Sequence, residues 1–159
     1  MGWPPRQNDH GPRYHRSVAD RAGTATGRRV YEQSTEGILI SDAENRIISV
    51  NRAFTRVTGY SLEDVRGRNP NILSSGRHDQ EFYSLMWADL ERVGHWQGEI
   101  WNRRKNGEIY PEWLGLTLLR DTKGRIVNYV AIFNDISAIK ADGRRYGVRA
   151  ATVPPSMDS

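Results

Sequence analysis

A long β-hairpin signal centred on the dipeptide Asn106-Gly107 is the feature of this sequence that most restricts its fold. Asn-Gly is among the pairs that tight hairpin turns favour most strongly. The residues before the turn alternate between two sets that would lie on opposite faces of a strand: Trp96, Gly98 and Ile100, and Gln97, Glu99 and Trp101. The residues after it supply apolar and aromatic side chains: Ile109, Tyr110, Trp113, Leu116 and Leu118. Residues 94–119 therefore predict a long antiparallel hairpin that forms the wall of a pocket or the centre of a sheet.

Shorter strand and helix patterns surround this hairpin. Three segments have the apolar, β-branched composition of strands: residues 37–42, 46–50 and 125–135. Asn51 and Asp79 stand where helix N-caps are expected, and residues 61–64 approximate a capping box. The order predicts an α+β fold, in which helices between the second and third strands cross one face of an antiparallel sheet. The space between sheet and helices is the usual place for a small ligand.

Composition and charge limit the classes of function. The chain has 159 residues, no Cys and a formal net charge of +4. The lack of Cys excludes disulfides, Cys–metal sites and thiol catalysis. The positive charge lies in the two ends of the chain rather than on a predicted element, so nucleic acid is not an expected partner. No apolar run approaches the ~18 residues of a membrane span, and we expect a soluble, cytoplasmic protein without a membrane partner.

The same patterns predict one folded domain between two tails. Residues 1–27 are rich in Gly, Pro and Arg without periodicity and predict a disordered basic tail. Residues 28–139 hold every predicted element, beginning with a short helix over residues 28–34. Residues 140–159 contain Gly and Pro and lack the apolar heptads that a coiled-coil linker would show. They therefore predict a second disordered tail.

Several short motifs follow one another along the chain: EGILISD at 36–42, VNRAF at 50–54 with TGY at 58–60, EDVRG at 63–67, WQGE at 96–99 with NRRKNG at 102–107, and FNDIS at 133–137. In this order and spacing they resemble the PAS domains of bacterial signalling proteins. The resemblance extends over residues 31–139. It implies a five-stranded antiparallel sheet in the order 2-1-5-4-3, with short helices over one face.

The pattern W-x-G-x-x-x-N-R-R-K at 96–105 also resembles two subgroups of PAS domains. One precedes diguanylate cyclase and phosphodiesterase domains, and the other is the flavin-binding group of nitrogen-fixation regulators and aerotaxis receptors. In the flavin-binding group the matching Trp and Asn border an FAD, which implies that role for Trp96 and Asn102. An amide suits the position because it both donates and accepts hydrogen bonds. Light-oxygen-voltage domains carry a reactive Cys after the residue matched by Asn69, but this chain has Pro70 there, so cysteinyl-adduct photochemistry is excluded.

Each candidate cofactor-binding residue also has a purely structural interpretation. Trp96 and Asn102 would otherwise pack in the core and satisfy backbone groups. Trp87 lies beside the apolar stripe of the long helix and is expected to pack there, with flavin contact as the alternative. Asn51 is expected to cap a helix, and the aerotaxis-type relatives imply a second role toward the flavin. Asn69 is expected to serve turn or cap chemistry and is a lesser ligand candidate.

Other chemistries find little support in the sequence. His78, at a helix start, is expected to face solvent, and neither it nor His95, at a strand start, is expected to bind haem. The run Arg103-Arg104-Lys105 at the hairpin tip is expected to be a solvated turn. Glu99 and Glu112 lie in different strands with nothing to place them around a substrate. Since no catalytic triad, phosphate loop or metal-ligand cluster is present either, an enzyme is not expected.

The sequence therefore predicts a PAS sensory module. The leading hypothesis is a redox or oxygen sensor in which FAD lies between the sheet and the helix over residues 82–93. Changed hydrogen bonds at Asn102 would move the segment after Asp135, and with it a second copy or an effector domain. The alternative is a ligand-free PAS module that dimerises or binds protein through the exposed sheet face, with Trp101 and Trp113 as contacts.

Overall fold

The computed structural model of the protein describes residues 25–143, which form one sheet and a set of mostly short helices. The strands are β1 (Gly37–Ser41), β2 (Ile47–Val50), β3 (His95–Arg103), β4 (Ile109–Arg120) and β5 (Ile126–Asp135). The helices are α1 (Ala25–Gln33), α2 (Arg52–Thr58), α3 (Leu62–Val65), α4 (Gln80–Val93) and α5 (Ser137–Ala141), with a 3₁₀ helix over Pro70–Leu73. This is the predicted α+β class.

The five strands form one antiparallel sheet in the order β2-β1-β5-β4-β3, as predicted. β3 pairs with β4 along its whole length, which ends with Arg103 opposite Ile109. The turn between them closes where the Gly107 N–H donates to the Arg104 carbonyl at 2.9 Å. Gly107 has a φ of 96°, a conformation that Gly adopts without strain, and this explains the Gly of the hairpin signal.

Alternation along the strands separates a helix-facing side of the sheet from an outer side, as predicted. The helix-facing residues of the three long strands include Trp96, Ile100 and Asn102 of β3, Tyr110, Glu112, Leu114 and Leu116 of β4, and Tyr129, Ala131 and Phe133 of β5. α2 and α4 pack on this side, where Phe54, Met86 and Leu90 join the main apolar core. Burial of such side chains is the main source of stability in a domain of this size.

Side-chain caps set where the helices begin. Asn51 accepts a hydrogen bond from a backbone N–H in the first turn of α2. Ser61 and Asp64 form the predicted capping box at α3. Asp79 caps α4, which ends where Gly94 adopts a φ of 90°. These predicted caps are confirmed, and each contributes about 1 kcal/mol to stability.

The free edge of β3 is partly covered by the segment before α4. The Ser75 hydroxyl donates to the Trp101 carbonyl at 2.8 Å, and the Trp101 N–H donates to His78 Nε2 at 2.9 Å. The Arg103 guanidinium donates to the Ser75 carbonyl at 2.9 Å, and the Arg77 guanidinium lies 3.9 Å from the centre of the Trp101 ring. These bonds occupy strand-edge groups that would otherwise be open to pairing with another chain.

The position of His78 corrects the expectation that this residue faces solvent. Its ring is half-buried, stacks on the Phe82 ring at a centroid distance of 4.1 Å and accepts the Trp101 N–H. Burial, followed by the positive charge of Arg77, lowers the pKa of His78. The sequence pattern did not reveal this environment, because the hydrogen-bond partner lies 23 residues further along the chain.

The folded region extends slightly beyond its predicted limits. α1 begins at Ala25, inside the segment predicted to be a disordered tail, and α5 continues to Ala141, past the predicted boundary at residue 139. The remainder of the two predicted tails, residues 1–24 and 144–159, lies outside the described residues. Within residues 25–143, no helix is long and apolar enough to cross a membrane.

The ring of Trp96 lies over Gly98, a contact that explains why Gly follows Trp at a spacing of two. A Cβ atom at position 98 would lie 2.9 Å from the indole, closer than such contacts allow. Gly98→Ala should therefore displace Trp96 and lower the free energy of unfolding by about 1–3 kcal/mol, measured by urea denaturation. Gly115→Ala in β4 is the matched control, since its Cβ would have no neighbour closer than 3.8 Å. Equal effects of the two changes would contradict the importance of the contact.

Candidate functional site

Asn102 and Glu112 form a buried polar pair on the helix-facing side of the β3–β4 hairpin. Each residue is 2% exposed, and Asn102 Nδ2 donates to Glu112 Oε2 at 2.6 Å. The Tyr110 hydroxyl donates to the second carboxyl oxygen, Oε1, at 3.0 Å. The hairpin register produces this arrangement, because Asn102 lies opposite Tyr110 and Glu112 is the next residue of β4 on the same face.

Burial dominates the electrostatics of the polar pair. It raises the pKa of the Glu112 carboxyl to about 8, while the hydrogen bonds from Asn102 and Tyr110 oppose the rise because they stabilise the carboxylate. The charge of Asp135 raises this pKa further, and that of Arg104 lowers it. Burial also raises the pKa of Tyr110, as does its neighbour Glu112. The Glu112 carboxyl therefore keeps its proton to a higher pH than an exposed carboxyl does.

Three buried polar atoms of this region have no hydrogen-bond partner among the described residues: Asn102 Oδ1, Ser74 Oγ and Tyr83 OH. An isolated antiparallel bridge holds Ser74 beside Asn102. Burial raises the pKa of Tyr83, and the nearby Ser74 hydroxyl partly offsets that rise without reaching hydrogen-bond geometry. Since buried polar groups are normally satisfied, this cluster is a place where a polar ligand would find partners.

Trp96 and Asn102 share the helix-facing side of β3, as predicted, but lie at opposite ends of it. At ~3.3 Å per residue their backbones are about 20 Å apart. Trp96 is half-buried and meets the Phe82 ring edge-on at a centroid distance of 6.2 Å. Trp87 is buried in α4 and packs edge-on against Tyr129 at 5.8 Å, which confirms its expected packing role. The structure therefore brings neither Trp next to Asn102.

The amide of Asn51 is fully engaged by the backbone. Oδ1 accepts from the N–H groups of Phe54 and Ile38, and Nδ2 donates to the carbonyls of Tyr31 and Glu36. An amide has two donors and two acceptor positions. The capping role is confirmed, and the four bonds leave no polar group of this side chain for a ligand.

Asn69 serves as the cap of the 3₁₀ helix. Its Oδ1 accepts from the Asn71 N–H at 2.8 Å, and Pro70 occupies the first helical position. Pro suits this position because its missing N–H would have no partner there. The expected cap chemistry is confirmed, and a ligand role for Asn69 stays a prediction.

Sequence reasoning missed several polar residues of the region. They are Ser74, Tyr83, Tyr110 and Glu112. The available signal for Glu112 was its position, since alternation in β4 otherwise places apolar side chains on that face. Glu99 is the second carboxyl group that the sequence offered in the hairpin. It lies on the outer side of the sheet, and its Oε2 is 3.2 Å from Nζ of Lys140.

Arg104 connects the site to the C-terminal helix and corrects the expectation of a fully solvated turn. Only 16% of its side chain is exposed. Its guanidinium lies 3.9 Å from the centre of the Tyr110 ring and forms ion pairs with Glu108 and Asp135, each at 2.8 Å. Asp135 accepts hydrogen bonds from the backbone N–H and the hydroxyl of Ser137, the first residue of α5. A continuous set of contacts therefore extends from the polar pair to α5.

Between residues 25 and 143, no group of three or more His, Asp or Glu side chains is arranged to hold a metal ion. His95 is exposed at the start of β3, and the His78 imidazole accepts a backbone hydrogen bond. The candidate site consists of the polar pair and the unpartnered polar atoms near it.

Comparison with known proteins identifies the family. A sequence profile of the family described as PAS domain matches residues 35–138, more than half of the chain. The chain belongs to the PAS domain family. It is a sensory module of the kind found in signalling proteins.

Two relatives illustrate where such PAS domains occur. The nitrogen fixation regulatory protein of Klebsiella oxytoca is 36% identical over 106 residues, which cover 67% of this chain and 21% of that protein. The aerotaxis receptor of Escherichia coli is 30% identical over 95 residues, which cover 58% of this chain and 18% of the receptor. The chain thus spans about a fifth of the length of the curated relatives that it matches.

Solved structures confirm the PAS fold. A PAS domain from Colwellia psychrerythraea superposes with a TM-score of 0.67 at 23% identity and covers 71% of this chain and 96% of that chain. A light-oxygen-voltage domain studied with a flavin analogue gives a TM-score of 0.64 at 26% identity. That likeness covers 77% of this chain and 93% of the other.

The raised pKa of Glu112 predicts how the stability of the domain depends on pH. In the folded state the pKa of Glu112 is about 8, above its ordinary value of 4.5. The protonated carboxyl therefore stabilises the fold fully below pH 4.5, and this stabilisation is lost as pH rises through 8. Glu112→Gln cannot ionise. From about pH 5 to about pH 9 the free energy of unfolding of the wild type should therefore fall, relative to this variant, by on the order of 3–5 kcal/mol. Chemical denaturation at each pH measures the difference.

The control for this prediction is Glu91→Gln on the exposed part of α4. Its stability should follow that of the wild type at every pH. A difference between wild type and Glu112→Gln that stays constant over the range would show that Glu112 ionises as readily in the folded state as in the unfolded chain.

Proposed function

We propose that this PAS domain senses redox state or oxygen through FAD held between the sheet and α4, and that it regulates a partner or an effector domain. The observation that carries the proposal is Asn102 Oδ1, a buried acceptor without a partner among the described residues. Two further points support the same ligand: the resemblance to flavin-binding PAS domains, and the likeness to the light-oxygen-voltage domain studied with a flavin analogue.

The donor and acceptor groups of the site suit the polar edge of an isoalloxazine, which presents both N–H and C=O groups. Asn102 Oδ1 would accept from a ring N–H, and the hydroxyls of Ser74 and Tyr83 can donate to ring carbonyls. Leu73 and Ile100 belong to the same buried cluster as Tyr83, so the surroundings of a bound ring would be apolar. A bound flavin would supply the redox chemistry, and the protein would supply orientation and electrostatics.

Pro70 determines how such a flavin would be held. It occupies the position of the reactive Cys of light-oxygen-voltage domains, and the chain has no Cys. The ligand would therefore be bound without a bond to a cysteine. The contribution of this chain is to orient the ring by hydrogen bonds and to exclude water with its apolar core.

Output would use the contacts made by Arg104. A change in the hydrogen bonds of Asn102 alters Glu112 and Tyr110, and Arg104 stacks on the Tyr110 ring. Asp135 pairs with Arg104 and also accepts the bonds that order the start of α5. A ligand shifts this arrangement only if it binds two conformations of the domain with unequal affinity. A redox-active ligand can do so, because its hydrogen-bonding groups change on reduction.

A groove on the outer side of the sheet favours a second function, association with protein. It has a volume of about 560 Å³, and Trp113, Ile132 and Asn134 are among the residues that line it. Ile132, which is 38% exposed, contributes apolar surface to this groove. Trp101, the other expected contact, is covered by Arg77. In this alternative the domain binds no ligand and dimerises through the groove.

Purified protein incubated with FAD and then freed of excess ligand should keep a visible flavin absorption that bleaches with dithionite. Asn102→Ala removes one buried acceptor and should weaken FAD binding about tenfold, the equivalent of one hydrogen bond. Asn134→Ala, on the outer side of β5, is the matched control and should bind FAD as the wild type does. Fluorescence quenching measures the Kd.

A colourless protein that does not bind excess FAD would contradict the flavin proposal and favour the association alternative. Analytical ultracentrifugation of the wild type and of Trp113→Ala then decides, because a dimer formed through the outer groove should dissociate in the variant.

A further inference from the structure

Glu112 is a buried carboxyl group that has no cation of its own. Its oxygens accept hydrogen bonds from Asn102 and Tyr110, and it forms no ion pair with any residue in the described part of the chain. Arg104 reaches the ring of Tyr110 but gives its ion pairs to other carboxylates. A carboxyl group in this setting has two accessible forms, a carboxylate that only accepts hydrogen bonds and an acid that also donates one.

The 2.6 Å separation between the Asn102 amide and Glu112 Oε2 is shorter than usual for a bond from N–H to oxygen and close to the length of a bond from O–H to oxygen. Bonds from N–H to oxygen are usually about 2.9 Å long, whereas bonds from O–H to oxygen are about 2.7 Å. The oxygen and nitrogen of an amide have nearly the same shape, so a half-turn of the amide exchanges them without moving its neighbours. After that turn, a protonated Glu112 would donate to Asn102 Oδ1.

We propose that Glu112 and Asn102 act as a proton-controlled switch that decides whether the site offers its ligand a hydrogen-bond acceptor or a donor; this rests on the proposed flavin function. With Glu112 ionised, Nδ2 of Asn102 donates to the carboxylate, and Oδ1 is the acceptor offered to the ligand. With a solvent proton on Oε2, the acid donates to Oδ1, and the turned amide offers Nδ2 as a donor. The exchange involves one proton and no change in covalent bonds other than the O–H bond.

The groups around Glu112 favour exchange near neutral pH. Tyr110 on β4 donates to Oε1 in both forms, and its hydrogen bond lowers the pKa of Glu112 because it stabilises the carboxylate more than the acid. Asp135 on β5 and Arg104 in the β3–β4 turn act on Glu112 with opposite sign, and they are already paired with each other. On α4, the raised pKa keeps Tyr83 neutral over the same range. Burial is therefore the main influence on Glu112, and no strong neighbouring charge locks either form.

The consequence concerns which ligand state is bound. A ligand edge that presents N–H favours the ionised form of Glu112, and an edge that presents a carbonyl or an unprotonated ring nitrogen favours the acid. Protonation of Glu112 changes the affinity for a given ligand state by some factor. By linkage, binding of that ligand state changes the proton affinity of Glu112 by the same factor. The affinity for the ligand should therefore depend on pH only while residue 112 can ionise.

The first test uses the ligand-free protein with nitrogen-15 labelled side-chain amides. The Asn102 amide resonance should titrate between about pH 6 and about pH 10. Its nuclear Overhauser contacts to the Glu112 side chain should be strong above the midpoint and lost below it. In Glu112→Gln neither signal should change with pH, and Glu91→Gln should behave as the wild type.

Tyr110→Phe provides a second variant if Glu112→Gln does not fold. It retains the carboxyl group but removes a donor that stabilises the carboxylate, so the midpoint of the Asn102 titration should move to higher pH. An Asn102 amide that keeps the same contacts to Glu112 over the whole range in the wild type would overturn the proposal.

The second test measures the Kd for FAD by fluorescence quenching over the same pH range. The wild-type Kd should change with the midpoint seen for Asn102. The Kd of Glu112→Gln should stay within about twofold of the low-pH wild-type value at every pH, because Gln, like the acid, can donate to Oδ1. A wild-type Kd that is independent of pH while the amide turns would overturn the claim that the pair faces the ligand. A failure to bind FAD at every pH would refute the flavin function, and the amide titration would still decide whether the switch exists.

Discussion

The antiparallel register between β3 and β4 is the constraint on which the rest of the site depends. It places Asn102 opposite Tyr110 and Ile100 opposite Glu112, so the polar pair faces the helices. A slip of one residue would turn Trp101 inward and the polar pair outward, because side chains in a strand alternate between its faces. The left-handed turn at Gly107 fixes one end of this register, and the hydrogen bonds from the segment before α4 fix the free edge.

The acid form explains how the fold tolerates Glu112 in its interior. A buried carboxylate without a cation is strongly disfavoured, whereas a neutral carboxyl group with hydrogen bonds to Asn102 and Tyr110 is not. The exposed ion pair of Arg92 with Asp89 is worth at most about 1 kcal/mol in water. A single ionisation inside the hairpin therefore outweighs a surface pair of this kind.

The sequence predicted the features that depend on near neighbours. The caps at Asn51 and Asp79 and the two faces of the hairpin follow from spacings of one to four residues, and the structure has them all. The errors at His78 and Arg104 share a cause, since their partners lie 23 and 31 residues away. Alternation along β4 could have placed Glu112 on an inward face, but it could not have shown what Glu112 meets there. That depends on the side chain opposite and on how α4 and the segment before it close over the sheet.

The segment 110–113 of β4 joins the two candidate functions. Tyr110 and Glu112 face the helices, where the polar pair lies, and Trp113 faces the outer groove. Between them, the Pro111 carbonyl accepts the Ile136 N–H at 3.1 Å, just before α5 begins. Strand residues cannot rotate independently, because pairing on both sides holds their backbones. A shift in the hydrogen bonds of the polar pair would therefore be felt at the groove and at α5 together. The site for the ligand and the surface for association thus share one strand, whichever of the two functions the domain has.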